Sequence, residues 1–143
     1  MRILDYTENG YIGRNFFMSY DFPIEDIPPF SIPNDTRTFN RIVIPDDLVA
    51  KSDAQYVSNG LVIDRPTFDP VADKVMIVAN GIDALTITKL PKGTTQLELF
   101  GPVSDCWTET RQKTDLTINV PGHYKLKITQ WPYQDREIEF DAS

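Results

Sequence analysis

The chain has 143 residues, 41% of them apolar, and carries 21 acidic against 14 basic side chains for a net charge of −7. That length can bury roughly 70% of its unfolded surface without staples. Its acidity and dispersed basic residues argue against nucleic acid, whose phosphates draw clustered Lys and Arg. No run approaches the ~20 apolar residues of a membrane span, and the single cysteine, Cys106, excludes an internal disulfide.

The opening MRILDYTENGYIGRNFFMSY carries charge and Asn-Gly where an export signal needs an apolar stretch, so no signal peptide is expected. It reads instead as two short strands around Asn9-Gly10, because Asn-Gly accepts the positive φ of tight hairpins. DFPIEDIPPFSIPN follows, with Pro23, Pro28, Pro29 and Pro33. Each proline lacks a donor and disfavours helix before it, so this strap is expected to be extended and irregular. Its Phe22, Ile24, Ile27, Phe30 and Ile32 are too many apolar groups for a free linker. The strap therefore lies against its own body or against a neighbour.

FNRIVIPDDLVAKS gives a strand from Arg41 to Ile44, and PDDLVAK fits one helical turn. QYVSNGLVIDRP reads as a second hairpin about Asn59-Gly60. Arg65-Pro66 and Asp69-Pro70 then interrupt pairing, which divides the chain into residues 1–70 and 71–143, with the boundary near Thr67 to Ala72.

From Lys74 to Ala142 the grammar changes. KVMIVANG, DALTITKL, TTQLELF, DLTINV, HYKLKITQW and REIEFDA alternate apolar with polar, and each is closed by a turn residue or a chain break. In HYKLKITQW, Tyr124, Leu126 and Ile128 point one way while Lys125, Lys127 and Thr129 point the other, the period of a half-buried strand. Six such runs without an intervening helix predict an all-β, antiparallel sandwich or barrel. The last run ends at the final residues, so the C-terminus is expected to be pinned into a sheet.

Leu90-Pro91-Lys92-Gly93, Pro121-Gly122-His123-Tyr124 and Pro132-Tyr133, with the strands they punctuate, resemble a small immunoglobulin-like module of tailed-bacteriophage and prophage proteins. ILDYTENGYIG, IPPFSIPNDT and YVSNGLVIDRP resemble the amino-terminal part of phage tail-fibre assembly proteins. The resemblance implies an immunoglobulin-like β-sandwich over 71–143, preceded by hairpins and a Pro-rich docking strap over 1–70. It also implies a virion component or a protein of the infected host cytoplasm. Its partners would be copies of itself, with threefold symmetry expected, and a tail-fibre, tail or capsid protein.

The catalytic inventory is thin. His123 and Cys106 are single, and a nucleophile pair needs a third orienting group and a cleft. Cys106 beside Trp107 reads as a core or loop pair. Zinc wants several Cys or His ligands, and Asp46-Asp47 or Asp64, Asp69 and Asp73 make no calcium loop of the EF-hand type. No catalytic residue, metal or cofactor is expected, and neither is enzymatic activity, nucleic-acid binding or membrane insertion.

Aromatics carry the expected work. Phe16, Phe17, Tyr20, Phe22 and Phe30 crowd the front half, and neighbours such as Phe16 and Phe17 cannot both point inward from one strand. Aromatics are enriched at the energetic centres of interfaces, so these five are the candidate partner-binding residues and Ile3 to Ile32 the candidate docking arm. The opposing reading is that the strap folds back and covers them. Trp131 and Tyr133 suggest a rival role in stacking against a host glycan. A second rival is a small acidic inhibitor of a host defence protein.

Overall fold

The computed structural model describes residues 1–18 and 20–143. The protein is nearly all-β, with one short 3-10 turn, Ile24–Asp26, as the helical element among the described residues. It forms two compact bodies, Met1–Arg65 and Pro66–Ser143.

In the first body, β1 (Arg2–Thr7) lies between β2 (Ile12–Phe17) and β3 (Phe39–Ile44), antiparallel to both. Adjacent Ile3 and Leu4 are both fully buried, so this central strand is covered on each face. Gly10 closes the β1–β2 turn at φ 89°, and a Cβ there would meet the Val57 carbonyl oxygen at 2.0 Å, so only glycine fits. A separate hairpin, β4 (Gln55–Ser58) and β5 (Leu61–Asp64), turns at Asn59 and Gly60, both at positive φ as a two-residue loop requires.

One sheet face packs Leu4, Ile12 and Ile44 with Ala50 and Val57 in a small apolar cluster. The Pro-rich strap covers the other. Ile27 is buried, Phe30 meets Phe39 edge-on at 4.8 Å, and Arg41 from β3 donates to the carbonyls of Ile27 and Pro28 at 2.9 and 3.0 Å. The strap thus lies on its own body. PDDLVAK, expected as a helical turn, is an isolated turn closed by the Leu48 N–H to the Pro45 carbonyl. Ala50 is drawn into the apolar cluster, which ends that turn before a helix can propagate.

The second body has β6 (Val71–Ala72), β7 (Met76–Ile77), β8 (Ala84–Thr88), β9 (Thr95–Phe100), β10 (Asp105–Glu109), β11 (Lys113–Thr117), β12 (Gly122–Thr129) and β13 (Arg136–Ala142). A five-stranded sheet runs β10-β9-β12-β13-β7 and a three-stranded sheet runs β11-β8-β6. All neighbours are antiparallel except β7, which lies parallel to β13. Leu85 and Ile87 from the small sheet join Leu97, Leu99, Tyr124, Leu126, Ile128 and Phe140 from the large one in a single core. The expected alternation of β12 holds: Tyr124, Leu126 and Ile128 are fully buried, while Lys125 and Lys127 reach the surface. Tyr124 stacks on Phe140, with ring centroids 5.5 Å apart, and its hydroxyl donates to the Val120 carbonyl at 2.8 Å.

Two expectations fail here. KVMIVANG shrinks to the two residues of β7; just beyond them the Asp83 carboxylate accepts the Val78 N–H at 2.8 Å and pairs with Lys74. Cys106 belongs neither to the core nor to a loop. It is exposed on β10, a strand absent from the six expected runs, while its neighbour Trp107 turns inward and donates to the Thr114 hydroxyl at 3.4 Å.

Candidate functional site

The first body is organised around one buried acid. Asp5 is 1% exposed and sits on β1 opposite Arg14 of β2 and Arg41 of β3. Arg14 Nε donates to it at 2.8 Å and Arg41 Nε at 2.7 Å. A buried carboxylate between two guanidinium groups is satisfied by charge and geometry together. Arg14 also lies over the rings of Phe16 and Phe30, at 4.3 and 4.9 Å from their centroids. The same two arginines therefore neutralise Asp5 and fasten the strap.

This placement divides the five candidate aromatics. Phe16 and Phe30 are half-buried and stacked on Arg14. Phe17 is 56% exposed on the opposite sheet face, Tyr20 is 74% exposed and Phe22 40%. Arg2 covers the Phe17 ring at 3.9 Å and donates to the Asp46 carbonyl, while the Asp46 carboxylate accepts the Tyr20 hydroxyl. Phe17 and Tyr20 are thereby linked into one rim, with Phe22 two residues further on. The Tyr20 bond holds the Asp46 carboxyl below its usual range and pushes the Tyr20 phenol up. The expected docking arm runs from Ile3 to Ile32. It contains the central strand of a sheet, and its accessible aromatic part is this rim.

On the second body, Val75, Met76, Val78 and Ile82 are 73, 59, 51 and 82% exposed. Four large apolar side chains within eight residues are thus exposed, a density above the scattered single exposures that are ordinary on protein surfaces, with Met76 on the strand face opposite the buried Ile77. Sequence reasoning missed these exposures by reading KVMIVANG as an alternating run, although Val75 to Val78 are continuously apolar and Ile82 follows an Asn-Gly turn.

The outer face of the five-stranded sheet is charged instead. Lys125 lies 3.5 Å from both Glu137 and Glu139, whose charges raise its pKa, and His123 Nδ1 lies 2.8 Å from Asp141. Cross-strand pairs of this kind make a solvated face. Cys106 and His123 do not meet: Cys106 faces Glu98, Glu98 faces Lys127, and His123 stands four residues along β12. Ordinary strand geometry separates them by about 16 Å. Trp131 and Tyr133 are half-buried beyond the end of β12, with a cis bond between Trp131 and Pro132, and Tyr133 packs edge-on against Phe68 at 5.8 Å.

Open clefts lie on both bodies. One of about 510 Å³ is lined by Thr7, Glu8, Asn9, Thr36, Arg37 and Thr38. The other, of about 440 Å³, lies beside Glu98, Phe100, Asp105 and Cys106. Arg37 is committed to Asp35 by paired hydrogen bonds of 2.9 and 3.0 Å. No group of three or more His, Cys, Asp or Glu among the described residues is arranged to hold a metal ion, and no helix is long and apolar enough to cross a membrane.

The strongest local titration effect is at Glu109, held down to about 2 by hydrogen bonds from the Arg111 side chain and backbone. A folded carboxyl below its ordinary 4.5 contributes stability fully above that pH and loses it as pH falls toward about 2. Arg111→Ala removes the side-chain bonds and should raise Glu109 toward the ordinary carboxylate range in an NMR titration of the carboxyl carbons. An unchanged midpoint would contradict the assignment.

No protein-family model, curated protein or solved structure matches the chain.

Proposed function

We propose that this chain is a non-catalytic attachment protein of a tailed bacteriophage or prophage. It joins copies of itself to a tail-fibre, tail or capsid component by burying exposed apolar side chains. The observation that carries this reading is the exposure of four large apolar side chains close together in the chain, Val75, Met76, Val78 and Ile82. The rim of Phe17, Tyr20 and Phe22 supplies a second contact, with the aromatic content that interface centres favour. The phage origin rests on the turn and strand motifs described above.

The second body is read as immunoglobulin-like. Supporting this are its two sheets around one core, the parallel pairing of β7 with β13, and the Tyr124 hydroxyl bonded four residues upstream to Val120 at the entry to β12. In that reading the second body is a rigid spacer or knob that presents its exposed apolar side chains.

Paired substitution of Met76→Asp and Ile82→Asp tests the proposal without touching the core. Light scattering should show the parent as an oligomer and the variant as a smaller species, with thermal unfolding unchanged. Copurification with virion proteins should be lost in parallel. A strictly monomeric parent that captures no tail or capsid protein would end the reading.

A further inference from the structure

Three Asn-Gly steps occur in the chain, at Asn9-Gly10, Asn59-Gly60 and Asn80-Gly81. As sequence they are equivalent, since each offers an amide side chain followed by a backbone nitrogen that no neighbouring side chain shields. The fold makes them unequal.

At Asn9-Gly10 the nucleophile is engaged. The Gly10 N–H donates to the Thr7 carbonyl at 2.8 Å, glycine itself is buried, and Asn9 Oδ1 accepts the Thr7 hydroxyl and the Tyr11 N–H. At Asn80-Gly81 the Gly81 N–H donates to the Ile118 carbonyl at 3.0 Å, while Asn80 Oδ1 accepts the N–H groups of Ile82 and Asp83 at 2.8 and 2.9 Å. At the tip of the β4–β5 hairpin both residues are exposed, and a Cβ built on Gly60 meets nothing within 4 Å. Among the described residues, neither the Asn59 side chain nor the Gly60 N–H has a hydrogen-bond partner.

We propose that Asn59 is a site of spontaneous deamidation, and that the fold suppresses the same reaction at Asn9 and Asn80. A solvent base takes the Gly60 amide proton and the nitrogen attacks Asn59 Cγ. The N–Cγ bond forms, the Cγ–Nδ2 bond breaks, and ammonia leaves to give a succinimide. Water then opens the ring. Cleavage at the Cγ side gives aspartate, and cleavage at the main-chain carbonyl gives isoaspartate.

Either product adds a negative charge at the hairpin tip, and isoaspartate also adds a methylene to the main chain. The hairpin has no slack for it: Ser58 pairs with Leu61 and Val57 with Val62 across a two-residue loop. Val57 is buried in the core of the first body and donates its N–H to the Gly10 carbonyl at 2.9 Å. Isoaspartate formation therefore loosens this hairpin at its contact with the sheet, which makes Asn59 an ageing clock for the first body.

The test is to age the folded full-length chain in mildly alkaline buffer made with oxygen-18 water, and to map its peptides by mass spectrometry that distinguishes isoaspartate from aspartate. At the other sites several hydrogen bonds must open before the amide nitrogen can attack, so Asn59 should react about tenfold faster or more. In the urea-unfolded chain the three rates should converge. Equal folded-state rates at Asn9 or Asn80, or no label at Asn59, would overturn the proposal. Asn59→Gln should abolish label at this site and leave the other two unchanged; persistence of label in that hairpin would also count against it.

Discussion

Replacing Phe140 with alanine should destabilise the second body by about 3–5 kcal/mol, the range seen when a large buried aromatic is truncated. Phe140 is 2% exposed, lies opposite Tyr124 in the β12–β13 register, and stacks on it with planes 13° apart. The variant loses the transfer energy of the ring, leaves a cavity, and forfeits the stack, itself worth about 0.5–1.5 kcal/mol. Both tryptophans, Trp107 and Trp131, belong to this body, so fluorescence during denaturant unfolding reports on it selectively. A double-mutant cycle with Tyr124→Leu should show coupling of the stacking size, because residues in contact do not add. A loss below about 1 kcal/mol would mean that the ring is not part of a closed core.

The second large effect is expected at Asp5. Asp5→Ala should cost the first body about 2–4 kcal/mol, toward the lower side of values for breaking a buried ion pair. The reason for the lower side is exposure: the Arg14 and Arg41 side chains are 33 and 18% accessible and can turn toward water once the carboxylate is gone. The consequence is local as well as global. Arg41 holds the Ile27 and Pro28 carbonyls, so its release should free the strap. Limited proteolysis should then cut within residues 20–38 well before the parent is cut. Wild-type protease resistance of that segment would show that the aromatic contacts of Phe30 hold it unaided.

These two residues also mark where sequence reasoning succeeds and where it stops. Phe140 was legible, because Ile138, Phe140 and Ala142 recur at the period of a strand face, and local alternation is a local property. The hairpins at Asn9-Gly10 and Asn59-Gly60 were legible for the same reason, since two adjacent residues dictate the turn. Asp5 was not. Its partners lie nine and 36 residues away on two other strands, and an acid inside Ile-Leu-Asp-Tyr reads by alternation as a solvent-facing group. The strap posed an open alternative for a related reason. Its apolar content required a cover, but which surface supplied it depended on how β1, β2 and β3 came together. The exposure of Val75, Met76, Val78 and Ile82 was hidden by local composition, because an apolar run suggests burial when nothing nearby reveals that its strand lies at the edge of a sheet.

The parallel pairing of β7 with β13 has a mechanical consequence. The Asp141 N–H donates to the Val75 carbonyl, the Ser143 N–H to the Ile77 carbonyl and the Ala79 N–H to the Ser143 carbonyl, so a strand near the start of this body is stitched to its last one. Tension applied between Pro66 and Ser143 pulls two co-directional strands past each other. The stitches are then strained together in shear, whereas an antiparallel hairpin gripped at its open end unzips one bond at a time. A tether built this way grips hardest along its own length.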